Sequence, residues 1–154
     1  MSGLREPGCA SVMSLEAFQQ AVGDLVASPR RCIELRHDAS LLDAYVLDDR
    51  ERRRLLAMVK NAGMSHNCTL YRANRLTPIA RSLPRTCVLL GPRLAAELED
   101  FWEAAPDSEL QFKREAERFG EFLMRRLNED EKVDAAVGAE LREELRLLRA
   151  KFSE

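Results

Sequence analysis

The chain has two histidines, His37 and His66, and four cysteines, Cys9, Cys32, Cys68 and Cys87. Neither histidine stands in an HExxH pattern and no two cysteines form a CxxC pair, so their spacing names no metal site. His37-Asp38 has the composition of an acid–base pair, but a histidine beside a helix end reads better as a solvent-facing residue. Asp48, Asp49 and Glu51 could attract a cation, yet carboxylates at the start of a helix serve as caps. A P-loop, a GxGxxG and a GxSxG are all missing. The expectation is a chain that is not an enzyme on its own and binds no metal or cofactor itself. Its cysteines read as free thiols, buried as small apolar residues where they fall on core faces.

What the sequence does supply is arginine. The run LYRANRLTPIARSLPRTCVLLGPRL, residues 70–94, holds Arg72, Arg75, Arg81, Arg85 and Arg93 and no acid. Charge is segregated on a larger scale as well. Residues 1–49 carry 4 basic against 8 acidic side chains, residues 50–93 carry 10 against 1, and residues 94–154 carry 10 against 17. The balances of −4, +9 and −7 hide behind a net charge of −2. A basic middle third offers an anionic partner a field to follow, unless the acidic ends fold back and neutralise it. Guanidinium forks match carboxylates. Tyr71, Arg72, Asn74, Arg75, Arg81 and Arg85, with Arg53 and Arg54 before them, are therefore the candidate peptide- or partner-binding residues. Two structural alternatives stay open. The arginines could pair with acids of helix 94–105 or the C-terminal helix, and Tyr71 and Asn74 could satisfy backbone groups freed near Pro78.

The elements that must position these groups read as helices, and the fold class is all-α: a single compact multi-helix bundle with kinked, proline-broken central helices and a C-terminal amphipathic helix. Residues 1–13 form a flexible arm, 14–127 the helical binding domain and 128–154 the C-terminal helix. Ser14 caps a first helix with Leu15, Phe18, Val22 and Leu25 inward, and Ser28-Pro29 start a second. Asp38 or Ser40 caps SLLDAYV, where Leu41, Leu42 and Tyr45 can face inward. Asp48 and Asp49 open DDRERRRLLAMVKNAG, with Leu55, Met58 and Val59 inward and Gly63 as its stop. In the arginine run Leu70, Ala73, Leu76, Ala80 and Leu83 trace the inward stripe. Pro78 should kink or restart that helix with Thr77 as cap, and Pro84 and Gly91-Pro92 should break it again. TCVLL (86–90) has strand character but is flanked by breakers, so a helical turn suits it as well. Asp107 or Ser108 caps a helix that buries Phe112, Ala116, Phe119 and Leu123. The last helix, 131–152, buries Val133, Val137, Leu141, Leu145, Leu148 and Phe152. Trp102 belongs in the core, and Pro78, Pro84, Thr86 and Gly91 have structural roles. The N-terminal segment has no apolar run of signal-peptide length and no later segment could span a bilayer, so a cytoplasmic protein is expected.

One ordered series adds to this reading: Tyr71-Arg72-x-Asn74, Leu83-Pro84-x-Thr86, Leu89-Leu90-Gly91, Leu98, Phe101-Trp102, Pro106 and Phe119-Gly120-x-Phe122-Leu123. Over residues 14–127 it resembles the helical partner proteins of multinuclear iron oxidases that modify ribosomally made peptides, of the methanobactin and 3-thiaglutamate pathway type. The resemblance implies a heterodimer with an iron-dependent TIM-barrel oxidase, the iron ions being held by that subunit. It also implies recruitment or presentation of a precursor peptide, for oxidative β-carbon excision from a C-terminal cysteine. Larger relatives carry a β-rich second domain suited to strand addition, whereas this chain ends in a helix, which favours a groove between helices. The alternative is a helical, regulatory nucleic-acid-binding protein using the basic block 50–93; the acidic flanks speak against it. A third is a structural module that dimerises through the C-terminal helix.

Overall fold

The structure, a computed structural model, describes the backbone of residues 8–109, 111–129 and 135–151, and side chains for 15–109, 111–127 and 135–151. The helices are α1 (Gly8–Ala27), α2 (Pro29–His37), α3 (Asp49–Lys60), α4 (Ala62–Ser82), α5 (Pro84–Leu90), α6 (Leu94–Ala104), α7 (Phe112–Glu129) and α8 (Ala135–Ala150), with 3-10 turns at Ala39–Ala44 and Gly91–Arg93. The fold is all-α: no strand occurs among the described residues, and TCVLL is helical. The helices gather into two compact units, Met1–Tyr71 and Arg72–Glu154, each with its own apolar core. The division falls inside α4, not at residue 127, and α8 belongs to the second unit.

The first unit is built on caps. Ser28 Oγ accepts from the Arg31 amide at 3.3 Å with Pro29 in the first turn of α2. Asp38 caps the next turn, its Oδ1 accepting from the Ser40 amide at 3.0 Å and the Ser40 hydroxyl at 2.6 Å. Those bonds hold the Asp38 carboxyl below its ordinary pKa. Asp48 and Glu51 close a reciprocal box at the start of α3, with bonds of 2.7 and 2.9 Å. Leu25, Cys32, Leu35, Leu42, Leu55, Val59, Met64 and Cys68 fill the core.

Three expectations shift in this unit. Helix α1 begins at Gly8, so Ser14 is internal and the expected arm is helical over residues 8–13; residues 1–7 lie outside the described part. Nothing in GCASVM breaks a helix, so periodicity alone could not place the start. Leu15 and Leu41 are exposed while Leu25 and Leu42 are buried. Asn61, not Gly63, stops α3. Its amide donates to Met58 O at 3.1 Å and its Oδ1 accepts from the Gly63 amide at 2.8 Å, so one residue closes α3 and caps α4.

In the second unit α4 is rotated from its expected setting. Leu70, Ala73 and Ala80 are exposed, Leu76 is half-buried, and Arg75, Pro78, Ile79 and Leu83 face inward. The stripe was assigned on the premise that arginine stays outside, and Arg75 breaks that premise by meeting a buried carboxylate. Nor does Pro78 restart the helix: α4 runs through it, and the Thr77 hydroxyl donates to Ala73 O at 2.9 Å instead of capping. Pro84 and Gly91 do break the chain as expected. Gly91 takes φ +52°, which an L side chain rarely adopts, and its amide returns to Cys87 O and Val88 O.

Helix α5 has Leu83 at its N-cap position, which offers no side-chain oxygen. Glu144 of α8 supplies one from afar: its two oxygens accept from the Arg85 and Thr86 amides, each at 2.9 Å, with the residue 4% exposed. Neither Asp107 nor Ser108 caps α7, which starts at Phe112, and Phe112 is exposed rather than buried. Ala116, Phe119 and Leu123 are buried as expected, as are Val137, Leu141, Leu145 and Leu148 of α8. Val133 and Phe152 fall outside the described residues. Leu141 and Leu145 pack inside their own unit, which removes the face a dimeriser would have used.

Helices α7 and α8 approach closely at Gly120, where a Cβ would lie 2.7 Å from Leu145 Cδ2 and 3.2 Å from its Cγ. Alanine there gains about 1 kcal/mol of helix propensity but overpacks a buried leucine at a cost of about 1–3 kcal/mol. Urea unfolding of Gly120→Ala should show a net loss of stability. Gly23→Ala, whose Cβ meets nothing within 4 Å, should show a gain.

Candidate functional site

The arginines separate into those that build the fold and those that face solvent. Arg75 is 2% exposed; its Nε donates to Glu115 Oε1 at 2.5 Å, its Nη1 donates to Pro106 O at 3.2 Å, and its guanidinium lies 5.3 Å from the Phe101 ring centroid. Glu115, equally buried, also accepts from the Glu109 amide at 3.2 Å. Arg72 pairs with Glu99 of α6 and stacks on Trp102, 5.2 Å from its centroid. Arg85 pairs with Glu140 at 2.7 Å, and Arg93 with Glu97 at 3.2 Å. The acidic third does fold back on these four, along α6, α7 and α8. Trp102 is buried, as expected, and so is Thr86.

Asn74, Arg81, Arg53 and Arg54 remain exposed, and Tyr71 is half-buried. The eight candidates are divided between the units: Arg53, Arg54 and Tyr71 belong to the first and the other five to the second. The structure does reveal a face that residue types alone had only half marked. Arg50, Arg53, Arg54 and Lys60 are all exposed on α3, and at 100° per residue they fall within an arc of roughly 120°. None of them makes an ion pair among the described residues, in contrast to Arg52, which pairs with Asp43. Arg50 and Lys60 were legible in the i, i+3, i+4, i+10 spacing once α3 was placed.

The helix that carries this face is tied to its unit at both ends and along its inner side. The capping box fixes the first turn of α3, Leu55 and Val59 are completely buried, and Arg36 Nε donates to Val59 O at 2.7 Å near the C-terminal end. Four exposed cations on one side of a packed helix give that side a positive potential. The clustering is unfavourable in isolation, because like charges one turn apart repel. An anionic partner reverses the sign of that term.

The other reactive groups are accounted for by packing. Asp48 and Glu51 are the capping box of α3, and His37 is the exposed last residue of α2. Among the described residues no three of His, Cys, Asp and Glu stand close enough to share a metal. Cys32, Cys68 and Cys87 are unpaired thiols. Cys32 Sγ donates to Leu25 O at 3.1 Å, and burial with Cys68 beside it pushes its thiol up to about 12. Tyr45 is pushed up to about 12 by burial and by its bond to Asp24, which is 2.5 Å long. No described helix is long and apolar enough to cross a membrane.

Two outcomes test this division. Removing one partner of a buried ion pair costs about 3–5 kcal/mol, whereas exposed substitutions stay within about 0.5 kcal/mol. Glu115→Gln should therefore lower the denaturation midpoint sharply, while Arg53→Gln and Arg54→Gln leave it in place. Burial, and secondarily the charge of Glu144, raises the Cys87 thiol to about 11. Holding that thiol neutral contributes stability in full below its ordinary value near 9, and the contribution is lost as pH rises through about 11. Alkylation of Cys87 should follow that raised titration, and Glu144→Gln should move it to lower pH. Against known proteins the chain stands apart: no family model, no curated protein and no solved structure matches it.

Proposed function

We propose that this chain is a non-catalytic, cytoplasmic binding subunit that docks on an anionic partner through the outer face of α3. The motif series suggests what that partner is: an iron-dependent TIM-barrel oxidase acting on a ribosomally made precursor peptide, in 3-thiaglutamate-type chemistry. The small chain would recruit or present the peptide while iron and oxidation stay on the large subunit. The observation that carries the binding role is the row Arg50, Arg53, Arg54 and Lys60, exposed and without ion pairs among the described residues, on a helix held by its caps and core contacts. Arg72, Arg75, Arg85 and Arg93 are by contrast engaged by carboxylates of the chain itself. The buried Arg75, Glu97, Glu115 and Glu144 each take part in an ion pair or backbone contact that joins elements. They therefore read as structural groups rather than reserve catalysts.

The proposal is tested by co-expressing the chain with the large subunit and candidate peptides. The expected result is co-purification and peptide modification, with no modification by the large subunit alone. Arg50→Glu, Arg53→Glu and Arg54→Glu together should abolish co-purification while circular dichroism stays unchanged. Each like-charge contact so created costs several kcal/mol at an interface, enough for a loss of 100-fold or more, on the order of 3 kcal/mol. A large subunit equally active without this chain would refute the assignment. Steeply salt-dependent retention of DNA, lost in the same triple variant, would transfer the α3 face to a nucleic-acid function.

A further inference from the structure

The second unit holds a different concentration of positive charge, independent of the α3 face and of the arginine run. Between α7 and α8 lies an open cleft of about 400 Å³ lined by Glu121, Met124, Arg125, Arg142, Leu145 and Arg149. Helical spacing explains the gathering. Glu121, Met124 and Arg125 stand at i, i+3 and i+4 on α7, and Arg142, Leu145 and Arg149 at i, i+3 and i+7 on α8, so each trio shares a face. The near contact at Gly120 lets the two faces meet.

Among the described residues the positive charge lining this cleft is only partly balanced. Arg149 pairs with Glu121 at 3.3 Å and with Glu117 at 3.6 Å. Arg125 and Arg142 make no ion pair among the described residues, although α8 is rich in glutamate and its neighbour Arg146 pairs with Glu143 at 2.7 Å. Arg142 is exposed. It folds back along α8, its Nη1 3.7 Å from where a Cβ on Gly138 would stand. Glu121 and Glu117 both engage Arg149, so Arg125 and Arg142 are the two guanidinium groups without an ion pair among the described residues, over a floor of Met124 and Leu145.

We propose that this cleft binds a phosphoryl group, carried on a small molecule with an apolar body. A phosphate monoester has a charge of about −1.5 to −2 at neutral pH and three acceptor oxygens, which suits two unengaged guanidinium forks where a single carboxylate would neutralise only one. The methionine and leucine floor gives the carbon skeleton somewhere to rest, which free phosphate cannot use. The α3 face is a row of exposed cations along one helix and suits an extended acidic partner instead.

Calorimetric titration of the full chain with phenyl phosphate, inorganic phosphate and benzoate tests the assignment. Saturable one-site binding is expected for both phosphates, tightest for the ester and weakest for benzoate. Arg125→Gln with Arg142→Gln should weaken phenyl phosphate at least about tenfold, the loss of about 1.4 kcal/mol of charge-assisted bonding. Both side chains are exposed, so helicity and thermal midpoint should be unchanged. The α3 triple variant should bind as the parent does. Equal affinity for the two phosphates would make free phosphate the source of the group. Binding that survives the double variant, that is lost in the α3 variant, or that never saturates would overturn the proposal.

Discussion

Arg75 and Glu115 place two full charges where water does not reach them, and much of the second unit is arranged to make that tolerable. A lone buried charge costs several kcal/mol, so each must find the other and then satisfy its remaining atoms. Arg75 reaches Pro106 O and the Phe101 ring, and Glu115 takes the Glu109 amide. The segment joining α6 to α7 is thereby folded around the pair. Phe101 stands at the centre of the apolar side of this arrangement, 5.4 Å from Phe119 and 5.5 Å from Phe122. The pair also sets the rotation of α4 within this unit. Once Arg75 points inward, Ile79 and Leu83 follow it at i+4 and i+8, and Ala73 and Ala80 are left outside.

That rotation separates what the sequence made legible from what it did not. Ser28-Pro29, Asp48 with Glu51, Pro84 and Gly91-Pro92 act through neighbours two to four residues away, and each did what its chemistry predicts. The setting of α4 and the capping of α5 depend on partners 40 and 58 residues distant, respectively. No periodicity in one helix encodes which carboxylate from another will arrive. The same limit explains the candidate site. An arginine's type says that it seeks an anion, and only the fold says whether the chain already provides one. For Arg72, Arg75, Arg85 and Arg93 it does; for Arg50, Arg53, Arg54, Lys60, Arg125 and Arg142 no ion pair forms among the described residues.

The ordered residues behind the family resemblance largely coincide with this internal framework: Arg72 on Trp102, Thr86 on Glu144, Gly91 at its positive φ, and Phe119-Gly120 under Leu145. Residues placed in this way speak first for how this chain packs its own helices. Recognition then rests on surfaces the motif does not include, which is why the α3 face and the α7–α8 cleft carry the functional proposals.

The Glu144 bridge also has a temporal side. Helix α5 is seven residues long, too short to persist alone in water, and its first-turn amides donate to a residue 58 to 59 positions later in the chain. During synthesis at about 5–20 residues per second, α5 must wait several seconds in an uncapped state before α8 exists to complete it. Its own Val88 and Leu89, exposed even in the finished fold, stand open throughout that interval. The last helix of the second unit is thus also the event that commits its middle to a structure.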